Sequence, residues 1–196
     1  METQEDKDFK VRLMLNSDKY YDQIWESIDK AKHIAWINTY DMDHKTAAGI
    51  VLEKLTNAAN RGVCVILIVD DINFWPNLDA VAKLEASGGL VVRNNPLNWK
   101  KIKENIRVGT FYRLLQRGHQ KIMLIDDTQY VGSLNISNGY SGVKYGSAAY
   151  RDLNCVVKGH PTKRTRDFFR DTIYKNIELQ PGKFDKEKVT AIFEKF

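Results

Sequence analysis

The chain has 196 residues, 43% of them hydrophobic and 28% charged, and a formal net charge of +5. This is enough apolar material for one well-buried domain spanning residues 1–196, too little length for two of ordinary size, and a composition that excludes a disordered chain. No apolar run approaches the roughly 18–20 residues of a membrane span, and the acidic start METQEDKDFK is neither a secretory signal nor an Arg-rich transit peptide. The expectation is a cytoplasmic or otherwise intracellular protein.

In chain order, apolar strand-like runs alternate with amphipathic helix-like runs. VRLML (11–15) reads as a strand, and Ser17 can cap a helix to about residue 32 whose buried face is Tyr21, Ile24, Trp25 and Ile28. IAWINTY (34–40) is the next strand. Asp43 or Thr46 starts a second helix, which Arg61-Gly62 ends near residue 60. VCVILIVD (63–70) is continuously apolar, as a strand covered on both faces should be. A helix over 77–87 and the strand LVVR (90–93) follow. This β-α-β-α-β-α-β order predicts an α/β fold with a mixed, largely parallel sheet and helices on both faces.

Residues 94–117 are the least regular stretch and read as a loop over one end of the sheet. Two strands, HQKIMLID and QYVGSLN, are joined by a tight turn at 126–129. A Gly/Ser/Tyr-rich loop (137–150), the strand RDLNCVVK (151–158), a helix over 163–178 and a short helix near 185–195 complete the chain. Cys64 and Cys155 both lie in apolar runs, which predicts reduced core thiols rather than a disulfide or a metal pair.

Charge is concentrated. Residues 93–121 carry Arg93, Lys100, Lys101, Lys103, Arg107, Arg113, Arg117 and Lys121 against Glu104 alone, a local charge of +7. A solvated basic loop would look the same, but this one runs directly into His119 and suits an anionic partner. Trp75, Trp99, Phe111 and Tyr112 read either as core or as a rim that contacts lipid or bases. Asp70-Asp71, at the end of a strand, reads either as a turn or as a carboxylate for a substrate alcohol. His44-Lys45 reads as a helix start, and His33 and His160 as edge residues.

The stretch 118–135, GHQKIMLIDDTQYVGSLN, carries the chemistry. Strand alternation sends His119 and Lys121 to one face, and Ser133 and Asn135 share a spacing of two just after the turn. A neutral imidazole is a competent nucleophile at pH 7, and an ammonium with hydroxyl and amide donors can hold phosphate oxygens. Those donors make a metal or other cofactor unnecessary, and the nearby acids form no convincing metal cluster.

His119, Lys121 at +2, Asp126 at +7 and then Gly132-Ser133-x-Asn135 resemble the H-x-K-x4-D…G-S/G-x-N (HKD) signature of the phospholipase D superfamily. The flanks INTYDMDHKTAAGIVLEKLTNAANRGVCVILIVDD and YRDLNCVVKGH resemble those of its cardiolipin synthase-like members, so the similarity runs over about residues 10–175. The resemblance implies a phospholipase D-like domain in which His119 forms a phosphohistidine. Lys121 and Asn135 would grip phosphate with help from Ser133, and Asp152 would orient the imidazole. Asp126, counted with His119 and Lys121 in the catalytic motif, would act as a structural support rather than a proton carrier.

Cardiolipin synthase-like enzymes carry two copies of the motif; this chain has one. The second copy then comes from a homodimer, or from another HKD domain if this is the N-terminal half of a longer chain or a paired subunit, unless the protein is a phosphate-binding remnant. The flanks favour phospholipid as substrate, with peripheral membrane contact. The single motif and the basic segment favour the alternative, a metal-independent endonuclease. A non-catalytic anion-binding subunit is the third reading.

Overall fold

The computed structural model describes residues 10–15, 17–96, 117–145, 152–159 and 163–196. The elements are β1 (Lys10–Met14), α1 (Ser17–Lys30), β2 (Ile34–Thr39), α2 (Thr46–Asn60), β3 (Cys64–Asp70), α3 (Leu78–Ala86) and β4 (Leu90–Asn94). After them come β5 (Lys121–Ile125), β6 (Thr128–Gly132), a helical turn α4 (Gly142–Tyr145), β7 (Asn154–Lys158), α5 (Lys163–Leu179) and α6 (Lys186–Lys195).

The strands form one sheet in the order β1-β7-β6-β5-β2-β3-β4. The mixed α/β reading holds, but the sheet is mostly antiparallel rather than largely parallel, because only α2 and α3 supply parallel crossovers. Parallel pairing is confined to β2–β3 and β3–β4, the two crossovers that α2 and α3 supply. The β1–β7, β7–β6, β6–β5 and β5–β2 pairs are antiparallel. A strand followed by a helix announces a parallel neighbour, whereas the β5–β2 pairing joins strands more than eighty residues apart and has no local signal.

Strand alternation sorts the core into two layers. Ala35, Ile37, Val65, Leu67, Met123 and Ile125 face α1, α2 and α3, and pack with Tyr21, Ile24, Ile28, Leu52 and Leu55. Ile34, Trp36, Ile66, Ile68, Val92 and Leu124 face the opposite side and pack with Phe169 and Ile173 of α5 and Val189 of α6. β2 is buried along its whole length because both faces are covered. The α1 face named from its spacing is buried throughout. Both cysteines are free and half-buried.

The register also decides where the site lies. Because β5 runs antiparallel to β2 and β6, its N-terminal end meets the C-terminal ends of β2, β3 and β6 and the start of β7. Lys121, Gly132, Asn154 and Met14 sit side by side across four strands. Everything placed just beyond that row shares one edge of the sheet. A helical turn interrupts the expected 137–150 loop; residues 97–116, 146–151 and 160–162, with Trp99, Phe111, Tyr112 and His160, lie outside the described residues.

Candidate active site

Lys121 opens β5 and is 4% exposed. Its side chain bends back to His119, two residues upstream of the strand. Nζ lies 2.9 Å from His119 Nδ1 and donates to the His119 carbonyl at 2.8 Å. The imidazole stays exposed, and on one side it meets the Tyr40 ring, with centroids 4.5 Å apart. Nζ lies 5.2 Å from the centroid of the same ring. The phenol ring at the end of β2 therefore contacts both the imidazole and the ammonium, a contact that cation–π attraction favours.

The electrostatics follow from this packing. Burial pushes Lys121 down to about 8, against the pull of Asp41 and Asp152, which favour its charged form. Loss of water around the ring, and then the neighbouring ammonium, hold His119 below its ordinary value. At pH 7 the site thus has a neutral imidazole beside a cation. Asp41 is moved up by burial, although a hydrogen bond from Ser137 and the charge of Lys121 oppose the shift.

Ser133 and Asn135 lie just past β6 rather than on it. Asn135 is buried and holds the neighbouring loop: its Oδ1 accepts from the Asp41 N–H at 3.2 Å, and its carbonyl accepts from the Tyr21 hydroxyl. The Ser133 hydroxyl is buried and finds no hydrogen-bond partner among the described residues. So does Asn154 Oδ1, which packs against Gly132; a Cβ at Gly132 would lie 2.0 Å from it. A side chain at Gly132 would displace Asn154, its partner on β7, and Gly132 is itself the partner of Lys121 on β5, which accounts for the glycine of the motif.

The structure separates Asp126 from the other motif residues. It occupies the turn after β5, at the far end of the strand from Lys121, with φ +48°. Its carboxylate accepts three backbone N–H groups, from Lys32, His33 and Ile34, each at 2.9 Å, and so fixes the start of β2. Its carboxylate thus lies at the opposite end of β5 from Lys121 and His119. Asp152 lies at the site edge, but its Oδ1 accepts from Leu153 N–H at 2.9 Å and no hydrogen bond joins it to His119. Its present link to the motif is its field on Lys121.

Tyr40, Asp41 and Asn154 carry no assigned role in the sequence, and neither does the pairing of Asp70 with Arg117. Asp70 is the strand-end turn of the plainer reading. Its Oδ1 accepts from Ile72 N–H at 3.1 Å, and its Oδ2 lies 3.4 Å from Arg117 Nη1, a pair in which both side chains are buried. Arg117 also donates to the Asn95 carbonyl at 2.7 Å. The chain is thereby anchored two residues before His119. Position alone could have flagged Tyr40-Asp41, since they follow directly from β2 at the site edge.

A cleft of about 800 Å³ lies between α1 and the β1–β7 side, lined by Lys10, Arg12, Asp22, Glu26 and Lys158. It includes Asp126 but none of His119, Lys121, Ser133 or Asn135, so it is not the site. Among the described residues, no group of three or more His, Cys, Asp or Glu side chains is placed to hold a metal ion. No helix among them is long and apolar enough to cross a membrane.

A strand-edge imidazole on a buried lysine, followed by a Gly-Ser-x-Asn turn in a mixed seven-stranded sheet, is the arrangement of a phospholipase D-like domain. A family profile described as "Cardiolipin synthase, PLD-like domain" matches residues 24–168, and the chain belongs to that family. It is 27% identical over 150 residues to a cardiolipin synthase of Clostridium perfringens (strain 13 / Type A), covering 76% of this chain and 30% of the relative. It is 23% identical over 164 residues to that of Geobacillus kaustophilus (strain HTA426), covering 83% and 31%. The chain spans about a third of the length of the curated relatives it matches.

Solved structures share the fold. The phosphatidylserine synthase of Haemophilus influenzae Rd KW20 superposes with a TM-score of 0.63 at 13% identity, over 94% of this chain and 42% of that one. NucT from Helicobacter pylori gives 0.61 at 16% identity, over 85% and 97%. The phospholipase D family member Nuc from Salmonella typhimurium gives 0.56 at 17%, over 86% and 96%.

Proposed function

We propose that the chain carries out phospholipase D-type chemistry on a phosphodiester, phospholipid in the first instance, through a covalent phosphohistidine on His119. The observation that carries this reading is the buried Lys121 ammonium set against the imidazole, with Ser133, whose buried hydroxyl has no hydrogen-bond partner among the described residues, one position past Gly132, the partner of Lys121 on β6. Cation and hydroxyl are donors suited to the non-bridging oxygens, and both gain strength as charge builds on them.

In the first half-reaction the Nε2 lone pair attacks phosphorus, the P–N bond forms and the P–O bond to the leaving alcohol breaks. For Nε2 to attack, the ring proton must sit on Nδ1. Lys121 must then turn from Nδ1 to the phosphate, leaving Nδ1–H to a carboxylate, the role the family resemblance gives to Asp152. The leaving oxygen takes a proton from a second acid. Water or an alcohol, deprotonated by the same group, then breaks the P–N bond and restores the imidazole.

One chain supplies one such histidine, so the second comes from a second copy of the motif, in a homodimer or another HKD domain. A surface suited to self-association supports the homodimer. Val11, Leu13 and Leu15 beside β7 are 62–68% exposed, and Val131 and Leu153 on the same face are 40% and 54% exposed. Such an aliphatic sheet face marks an interface, and Leu15, Val131 and Leu153 bring it to the site edge.

The test is turnover of phosphatidylglycerol vesicles and of single-stranded DNA by wild type and His119→Asn, with chelator present. Wild type should turn over lipid and form an acid-labile phosphoryl adduct, and the variant should do neither while keeping its circular dichroism spectrum. Undiminished turnover by His119→Asn would end the mechanism. Cleavage of DNA alone would select the endonuclease alternative. Binding of phosphate without turnover of either substrate would select the non-catalytic subunit.

A further inference from the structure

Ile72, Trp75 and Leu78 recur at every third residue after β3 and are 37%, 68% and 65% exposed. Phe74 and Pro76 between them are buried. Trp25 and Trp36, by contrast, are almost wholly enclosed. An indole and two aliphatic side chains held in water are costly unless a partner covers them.

The segment that presents them is built rather than loose. Asp70 caps its first turn through Ile72 N–H, and Asn77 Oδ1 accepts from Asp79 N–H at 2.9 Å and Ala80 N–H at 3.2 Å at the start of α3. It is also fastened to the site. Met42 N–H donates to the Asn73 carbonyl at 3.0 Å, and Trp75 N–H donates to the Met42 carbonyl at 2.9 Å. Met42 bridges in turn to Ile136, the neighbour of Asn135. The exposed side chains therefore rise from the edge of the sheet that carries His119.

We propose that Ile72, Trp75 and Leu78 form a tooth that seats this edge on a phospholipid bilayer, with the indole at head-group level and the aliphatic side chains at the acyl boundary. The inference rests on the phosphodiesterase reading only for what the site does once seated. An indole with one N–H donor on an apolar body suits the head-group interface. The net charge of +5 favours an anionic surface, and the part-exposed guanidinium of Arg93, which opens the basic segment, lies at this edge beside Asp71. Nucleic-acid stacking would call for flat rings along a cationic groove, not a ring flanked by aliphatics. A stable protein partner needs about 800 Å² per side, more than three side chains provide.

The test compares wild type with Trp75→Ala/Leu78→Ala. Co-sedimentation with phosphatidylglycerol vesicles should weaken about tenfold, while turnover of soluble bis(p-nitrophenyl) phosphate stays unchanged. Brominated lipid should quench the fluorescence that wild type has in excess of Trp75→Phe. Equal partition of the two proteins, or an unquenched indole, overturns the tooth. Quenching by a single-stranded oligonucleotide but not by bilayers overturns it in favour of a nucleic-acid contact. Normal vesicle partition with no turnover of the soluble diester by wild type would count against the phosphodiesterase reading and leave the tooth standing.

Discussion

Lys121 occupies a position that stability alone would give to an apolar residue. Its ammonium is buried with an imidazole nitrogen and a carbonyl as neighbours rather than a bonded carboxylate, and its pKa is lowered to about 8 in consequence. The sign follows directly. A lysine whose folded pKa lies below its unfolded value destabilises the fold fully below the folded pKa, and the penalty is relieved as pH rises from about 8 toward the unfolded value. Lys121→Met should therefore raise stability by about 1–2 kcal/mol at neutral pH, less at pH 10, and lower turnover by about 10²–10³-fold. Denaturant titrations at the two pH values check the first part and kcat the second. Wild-type turnover should decline as pH rises through about 8, and Lys121→Arg should remove that limb because a guanidinium stays charged. Asp126 makes the opposite case. Asp126→Ala strips three N–H groups of their acceptor and should cost about 2–3 kcal/mol in chemical denaturation. Turnover per folded molecule should change little, because the carboxylate is remote from His119.

At the level of elements, the site depends on how the chain re-enters the sheet at β5. The buried Asp70–Arg117 pair ties the segment before His119 to the end of β3, and Asn38 Nδ2 donates to the Gln120 carbonyl at 2.7 Å from β2. Arg117→Ala leaves Asp70 buried without its cation and should cost about 3–5 kcal/mol; Asp70→Asn/Arg117→Met should recover most of that loss in melting experiments. These ties explain what could and could not be read from the sequence. Periodicity located the strands and the longer helices of the described residues within a few positions, because each is amphipathic or continuously apolar over its own length, whereas the single turn α4 is too short to show a period. The HKD spacing named His119, Lys121, Ser133 and Asn135 because the motif is local. The antiparallel half of the sheet, the Tyr40 contact with His119, the three N–H groups on Asp126 and the Asp70 anchor join residues 47 to 94 positions apart or pair strands across the chain. Nothing in a local pattern encodes such partners. Strand alternation even overstated the likeness of His119 and Lys121: His119 lies outside β5 and is exposed, whereas Lys121 is its buried first residue.

For the whole molecule, the exposed aliphatic face around Leu13 offers a surface on which a second copy can pack. A mass of twice 22.6 kDa would show that two chains associate, but not that they share a site. Mixing separates the two. If wild-type and His119→Asn chains are refolded together at known ratios, a chain that works alone gives turnover proportional to the wild-type fraction. If every cycle needs one His119 as nucleophile and a second as proton donor, only wild-type pairs turn over, and turnover follows the square of that fraction. At equal amounts the two cases predict about one half and about one quarter of the wild-type rate. Leu13→Glu, placed on the aliphatic face and away from His119, should reduce the solution mass to that of one chain and abolish turnover together. A monomeric Leu13→Glu protein with full activity, or a linear mixing curve, would rule out the shared site, since in either case one imidazole would be completing the cycle by itself.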